Sequence, residues 1–166
     1  MNLIDFTVDW IKGELFEAKL ILTFGIITIL AGFIFWKEGS TLNAKALFIP
    51  LLVAGTIYSA IGSGMLYSNT KRMRDFPQNY QKNKSVFANL EKKRVDDFQY
   101  GYKVSKIVAT LFFAITLIIF WTTKNPVLMG IGIGLTYFAL AGLVIDYFSG
   151  ERADVYYSAI LKSLRS

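Results

Sequence analysis

Neither cysteine nor histidine occurs anywhere in the 166 residues. The first absence excludes disulfides, thiolate nucleophiles and cysteine-bound metals. The second removes the commonest metal ligand and the side chain most used as an acid or base near neutral pH. Together they weigh against an enzyme, and they imply no cofactor and no metal. Charge is scarce as well: 18% of residues are charged and 54% are hydrophobic. So large an apolar excess must face something other than water. Asn2, Leu3, Ile4 and Asp5 lack the basic start of a cleaved secretory signal, so the first apolar stretch is expected to stay as an anchor.

What is present is four uncharged stretches, each near the roughly 17 to 25 residues a helix needs to cross a hydrocarbon core. They run over 20–36, 46–67, 107–123 and 125–147. Each is expected to be helical, because lipid offers backbone groups no partners. The first and third are closed by Ile34-Phe35-Trp36 and Ile119-Phe120-Trp121; the second and fourth are Gly-rich and end in Tyr67 and Tyr147. Arg72 and Arg152 each follow five residues after those tyrosines. Two similar hairpins therefore stand in series. Duplication, or the same bilayer acting twice on unrelated hairpins, explains them equally well.

Basic residues divide sharply between the two ends of these spans. Lys37, Lys45 and Lys124 fall on one side; Lys12, Lys19, ten Lys and Arg from Lys71 to Lys106, Arg152, Lys162 and Arg165 fall on the other. The positive-inside rule puts the second group, with both termini, in the cytoplasm, and a bacterial inner membrane suits such short loops. Trp36, Trp121, Tyr67 and Tyr147 sit at span ends, where amphipathic rings favour the headgroup region.

The segments outside the spans are patterned too. In 1–17, Ile4, Val8, Ile11 and Leu15 recur at helical spacing, widened by Leu3, Trp10 and Phe16, and predict an amphipathic helix in the interface with a bend at Gly13. Its polar face is acidic and suits the chain's own basic loop, or a partner, better than anionic lipid. In the loop 71–106, Pro77, Asn79 and Asn83 predict a turn-rich connector, and Ser85 is placed to cap a helix with Phe87, Leu90 and Phe98 on one face. The tail 151–166 continues as a cytoplasmic helix carrying Val155, Tyr156, Ile160 and Leu164. The fold class that results is all-α: a membrane four-helix bundle of two hairpins, with an N-terminal amphipathic helix and a helical cytoplasmic loop.

Candidate functional residues are few, and each has a plain structural explanation beside it. Gly55, Ser59 and Ser63, with Ala60 and Gly64 beside them, and Gly130 and Gly134 in the fourth span are small residues at four-residue spacing. Such rows let helices approach closely, within one chain or between copies, and they predict spans two and four at the centre. Asp146, the only acid adjoining a span's core, is expected to pair with Arg152 at the interface rather than serve as a transport site. Arg72, Arg74, Lys92, Lys93 and Arg94 form a basic patch suited to anionic lipid or a partner, with little of the aromatic interleaving of a nucleic-acid surface. Asp96, Asp97, Glu151 and Asp154 are solvated carboxylates unless the fold gathers them around a metal for lipid-headgroup chemistry.

Four spans, cytoplasmic ends and no catalytic groups resemble, in layout alone, the bacterial immunity proteins that neutralise pore-forming toxins. Function is therefore expected to reside in helix-to-helix binding of another membrane protein or a second copy of the chain. The alternatives are an accessory subunit of a secretion or transport complex, and a lipid-headgroup enzyme. The bilayer is a partner in every case, and nucleic acid is not.

Overall fold

The structure is a computed structural model that describes residues 2–165. Four long helices dominate it: α1 (Leu3–Glu38), α3 (Phe48–Lys82), α4 (Lys84–Thr122) and α5 (Pro126–Arg165), with the short α2 (Leu42–Ala46) before α3. All four are long and apolar enough to cross a membrane, α2 and α3 counting as one span. The protein is therefore a multi-pass membrane helical protein. At about 1.5 Å per residue, helices of 35 to 40 residues reach about 52 to 60 Å, nearly twice a ~30 Å hydrocarbon core. Each helix must continue well beyond the membrane, and all four do so at the basic end.

That continuation changes the reading of the outer segments. The N-terminal amphipathic stretch is not a separate interfacial helix: α1 runs unbroken through Gly13. A side chain at Gly13 would meet Arg152, whose Cδ lies 3.0 Å from the position of a Cβ, so the glycine admits a neighbouring helix and does not bend its own. Leu3, Trp10 and Ile11 turn inward to join Phe87, Ala88, Val95, Tyr156 and Ile160 in a second core outside the membrane. Phe16 stays exposed. The apolar stripe is thus satisfied by the chain's own helices.

No turn-rich connector forms at Pro77 either. The α3 helix continues past it to Lys82, because Phe76 and Tyr80 pack edge-on against Phe87 across the turn at Asn83 and outweigh the hydrogen bond a proline cannot donate. Asn83 alone breaks the helix. Its side chain, and not that of Ser85, caps α4 by accepting the Val86 N–H at 3.0 Å. Leu90 and Val155 point outward, while Glu91, a polar residue, takes the inward position that Leu90 was expected to hold.

Within the membrane the two hairpins are α1 with α3 and α4 with α5. The first is closely packed through glycines seven residues apart on each helix. A Cβ on Gly25 would lie 2.5 Å from the Ser59 backbone nitrogen, one on Gly55 2.7 Å from the Gly25 oxygen, and one on Gly62 2.5 Å from the Leu22 nitrogen. Backbone contact this close is how small residues drive association in lipid. Spans two and four do not by themselves form the centre: Gly55 serves α1, although Gly134 does approach Pro50 on α3 and Gly130 the Ala46 oxygen on α2. Ser63 is exposed, and Gly64 has nothing within 4 Å. The most peripheral span is α4, with 6% of its apolar stretch buried against 22% to 28% in the other three.

Candidate functional site

Polar groups inside the membrane are spent on holding helices together. Thr28 bonds back to Phe24 and meets the Tyr137 hydroxyl at 2.7 Å. Tyr58 donates to the Phe138 carbonyl at 2.6 Å, and Thr116 donates to that of Gly132 at 2.8 Å. These hydroxyls have found partners, as hydrocarbon favours; Ser59 Oγ, buried beside Gly25, has none.

Where the helices leave the membrane, charge is drawn inside the bundle. Arg152 on α5 reaches across to Glu14, at 3.1 Å, and to Glu17 on α1. Glu17 also accepts from Ser149. Burial pushes the Glu14 carboxyl above its ordinary range despite the guanidinium beside it. The expected Asp146–Arg152 pair does not form, because Arg152 is taken by two carboxylates from α1, and the inner oxygen of Asp146 is buried with no donor.

One level further from the membrane, Arg94 grips Glu91 with two bonds, Nε donating at 2.9 Å. The Tyr156 hydroxyl donates to Glu91 at 2.8 Å and lies 3.0 Å from Thr7 Oγ1. Trp10 lies over the Arg94 guanidinium at 4.5 Å and stacks on Tyr156. Burial works against the charge on Arg94, but the carboxylate outweighs it and the arginine is held more firmly protonated. The same low-dielectric setting and the nearby carboxylate drive the Tyr156 hydroxyl away from ionisation.

Between the hairpins, α3 and α4 barely touch, and a seam lies open between them. Its basic-end part holds about 660 Å³ and is lined by Arg72, Arg94, Asp97, Tyr102, Met65 and Asp146, among others. Nearer the other end, a separate hollow of about 430 Å³ is walled by Ile49, Val53, Ile57, Phe112, Ile131 and Phe138. Arg72 donates at 2.9 Å to Asn69, which is fully buried. Burial and the neighbouring Arg94 hold Arg72 below the usual guanidinium range.

The residues singled out in the sequence are thus dispersed. Arg72 and Arg94 come together in the seam. Arg74 pairs at the surface with Asp75, and Lys92 with Asp96 one helical turn away; Lys93 is exposed. Trp36, Trp121, Tyr67 and Tyr147 are all exposed on the outer surface at span ends. Asp154 accepts from Gln99, and among the described residues no three acidic groups gather where a metal would bind. Sequence reasoning missed Glu14, Glu17, Glu91 and Asn69. An acidic N-terminal helix facing a basic loop was the available signal for the first two. No family model, curated protein or solved structure matches this chain.

Proposed function

We propose that the protein works by binding another membrane-inserted protein through its spans. What supports this is the isolation of α4: its membrane stretch rests on α5 and leaves Ile107, Leu111, Leu117, Ile118 and Trp121 uncovered. Beside it, the hollow between Ile57 and Phe112 offers a groove into which a partner's side chains fit. The other three spans each bury more of their apolar stretch, 22% to 28% against 6%, so α4 is the face with most contacts to give. In this reading the basic end, with both termini, is cytoplasmic in a bacterial inner membrane. The partner is a protein the chain restrains, as an immunity protein restrains a toxin, or a larger complex in which it is a subunit.

The test is native electrophoresis of membranes gently solubilised from the chain's own host. Wild type is expected to migrate in a complex heavier than the monomer. Alanine at Leu111, Leu117 and Ile118 should release the monomer, while alanine at Ile27, Leu30 and Ile34 on α1 should not. Wild-type protein running as a monomer would count against binding.

A further inference from the structure

We infer that the basic-end part of the α3/α4 seam is a binding site for one anionic phospholipid, with its phosphate on Arg72 and its chains running down between the two helices. The comparison that carries this lies within the molecule. Arg72 and Arg152 occupy matching places, each five residues beyond the tyrosine that ends a Gly-rich span. Across the α1/α5 seam Arg152 meets two carboxylates, Glu14 and Glu17. Across the α3/α4 seam no carboxylate of the described residues pairs with Arg72, whose one hydrogen bond goes to the neutral oxygen of Asn69.

A half-buried guanidinium with no carboxylate in ion-pair contact, acted on by Glu91 and Glu14 only from further off and opposed by a second guanidinium, has room for an anion. Arg94 cannot be discharged by Arg72, and its own charge is already matched by Glu91. Depth favours a lipid as the source of that anion. Tyr67 is exposed at the membrane boundary, and Arg72 lies five residues further along α3, about 7 Å of rise. Its side chain leans back toward the helix N-terminus, and so toward the membrane. That places the guanidinium where phosphates lie, with Met65 and Ile61 below it in the same groove.

The acids of the groove stand off from Arg72. Glu14 is engaged with Arg152, and Asp97 is exposed at the rim. Gly62 packs on Ala18 and Glu17 meets Ser149, so Asp146 lies near the level of Gly62. Its backbone is thus about 15 Å of helical rise from that of Arg72, deeper in the groove that both line.

Native mass spectrometry of the full chain, released from micelles containing equal phosphatidylglycerol and phosphatidylcholine, tests the site. Wild type should retain one phosphatidylglycerol at collision energies that strip phosphatidylcholine. Arg72→Gln should lower that retention about tenfold, the worth of one charge-assisted contact. Arg72→Lys, which keeps the charge but loses the planar fork, should lower it less, and serves alone if the glutamine variant does not fold. Arg74→Gln and Asp146→Asn should change nothing. Equal retention by wild type and both Arg72 variants would overturn the proposal, as would an equal loss in Arg74→Gln, which signifies diffuse attraction. Displacement by millimolar inorganic phosphate would also overturn it, by showing a site for a soluble anion. None of these readouts depends on a protein partner, so this site and the α4 interface stand or fall separately.

Discussion

Glu17 on α1 and Arg152 on α5 form an ion pair at the level where both helices leave the membrane, with side chains 9% and 32% exposed. It ties the first hairpin to the second just outside the hydrocarbon, where water no longer screens charges fully. Removing the cation would leave Glu14 and Glu17 facing each other. Arg152→Gln is therefore expected to destabilise the protein by about 2 kcal/mol, below the range for fully buried pairs because the guanidinium is partly wet. Reversible unfolding in mixed micelles measures this.

Glu14 makes that loss depend on pH. Burial raises its carboxyl pKa in the folded state, so folding favours the protonated form. Its contribution to stability is full below the ordinary glutamate range and is lost as pH rises through its raised value. Glu14→Gln should flatten this part of the profile, which unfolding midpoints taken between about pH 4 and pH 7 would record. An unchanged profile would mean that Glu14 keeps its ordinary pKa.

The glycine contacts predict opposite outcomes for two similar changes. Gly25→Ala places a methyl group 2.5 Å from the α3 backbone, forcing the helices apart at an expected cost of about 1 to 3 kcal/mol. Gly64→Ala meets nothing within 4 Å and should be neutral or stabilising by up to about 1 kcal/mol through helix propensity. Thermal unfolding in the same detergent separates the two.

The core outside the membrane predicts a local effect. Ile11 is fully buried among Trp10, Val95, Tyr156 and Ile160, so Ile11→Ala should cost about 2 to 4 kcal/mol. Hydrogen exchange should quicken first around Phe87 and Val95, with the α1/α3 membrane contact still protected. Pro77→Ala should do the reverse, restoring an N–H inside α3 and slowing exchange there.

The spans were legible in the sequence because hydrocarbon leaves few choices: an uncharged run such as 20–36 must be helical. Less legible was where each helix ends. Pro77 and Asn79 carry turn chemistry that the contact of Phe76 and Tyr80 with Phe87 overrides, and no local pattern announces a tertiary contact. The site residues were harder still. No local pattern singles out Glu17 or Glu91; their roles come only when the fold sets Arg152 and Arg94 against them. Gly25 and Gly62 escaped a search for four-residue spacing because their helices pack through a seven-residue repeat.

The most direct test of partner binding uses photoreactive side chains placed one at a time around the membrane stretches of α4 and α1 in living cells of the chain's own host. Positions Leu111, Leu117 and Ile118 are predicted to crosslink to one and the same protein, and Ile27 and Ile34 on α1 to lipid alone. Crosslinks to lipid alone from every α4 position would contradict binding through the spans.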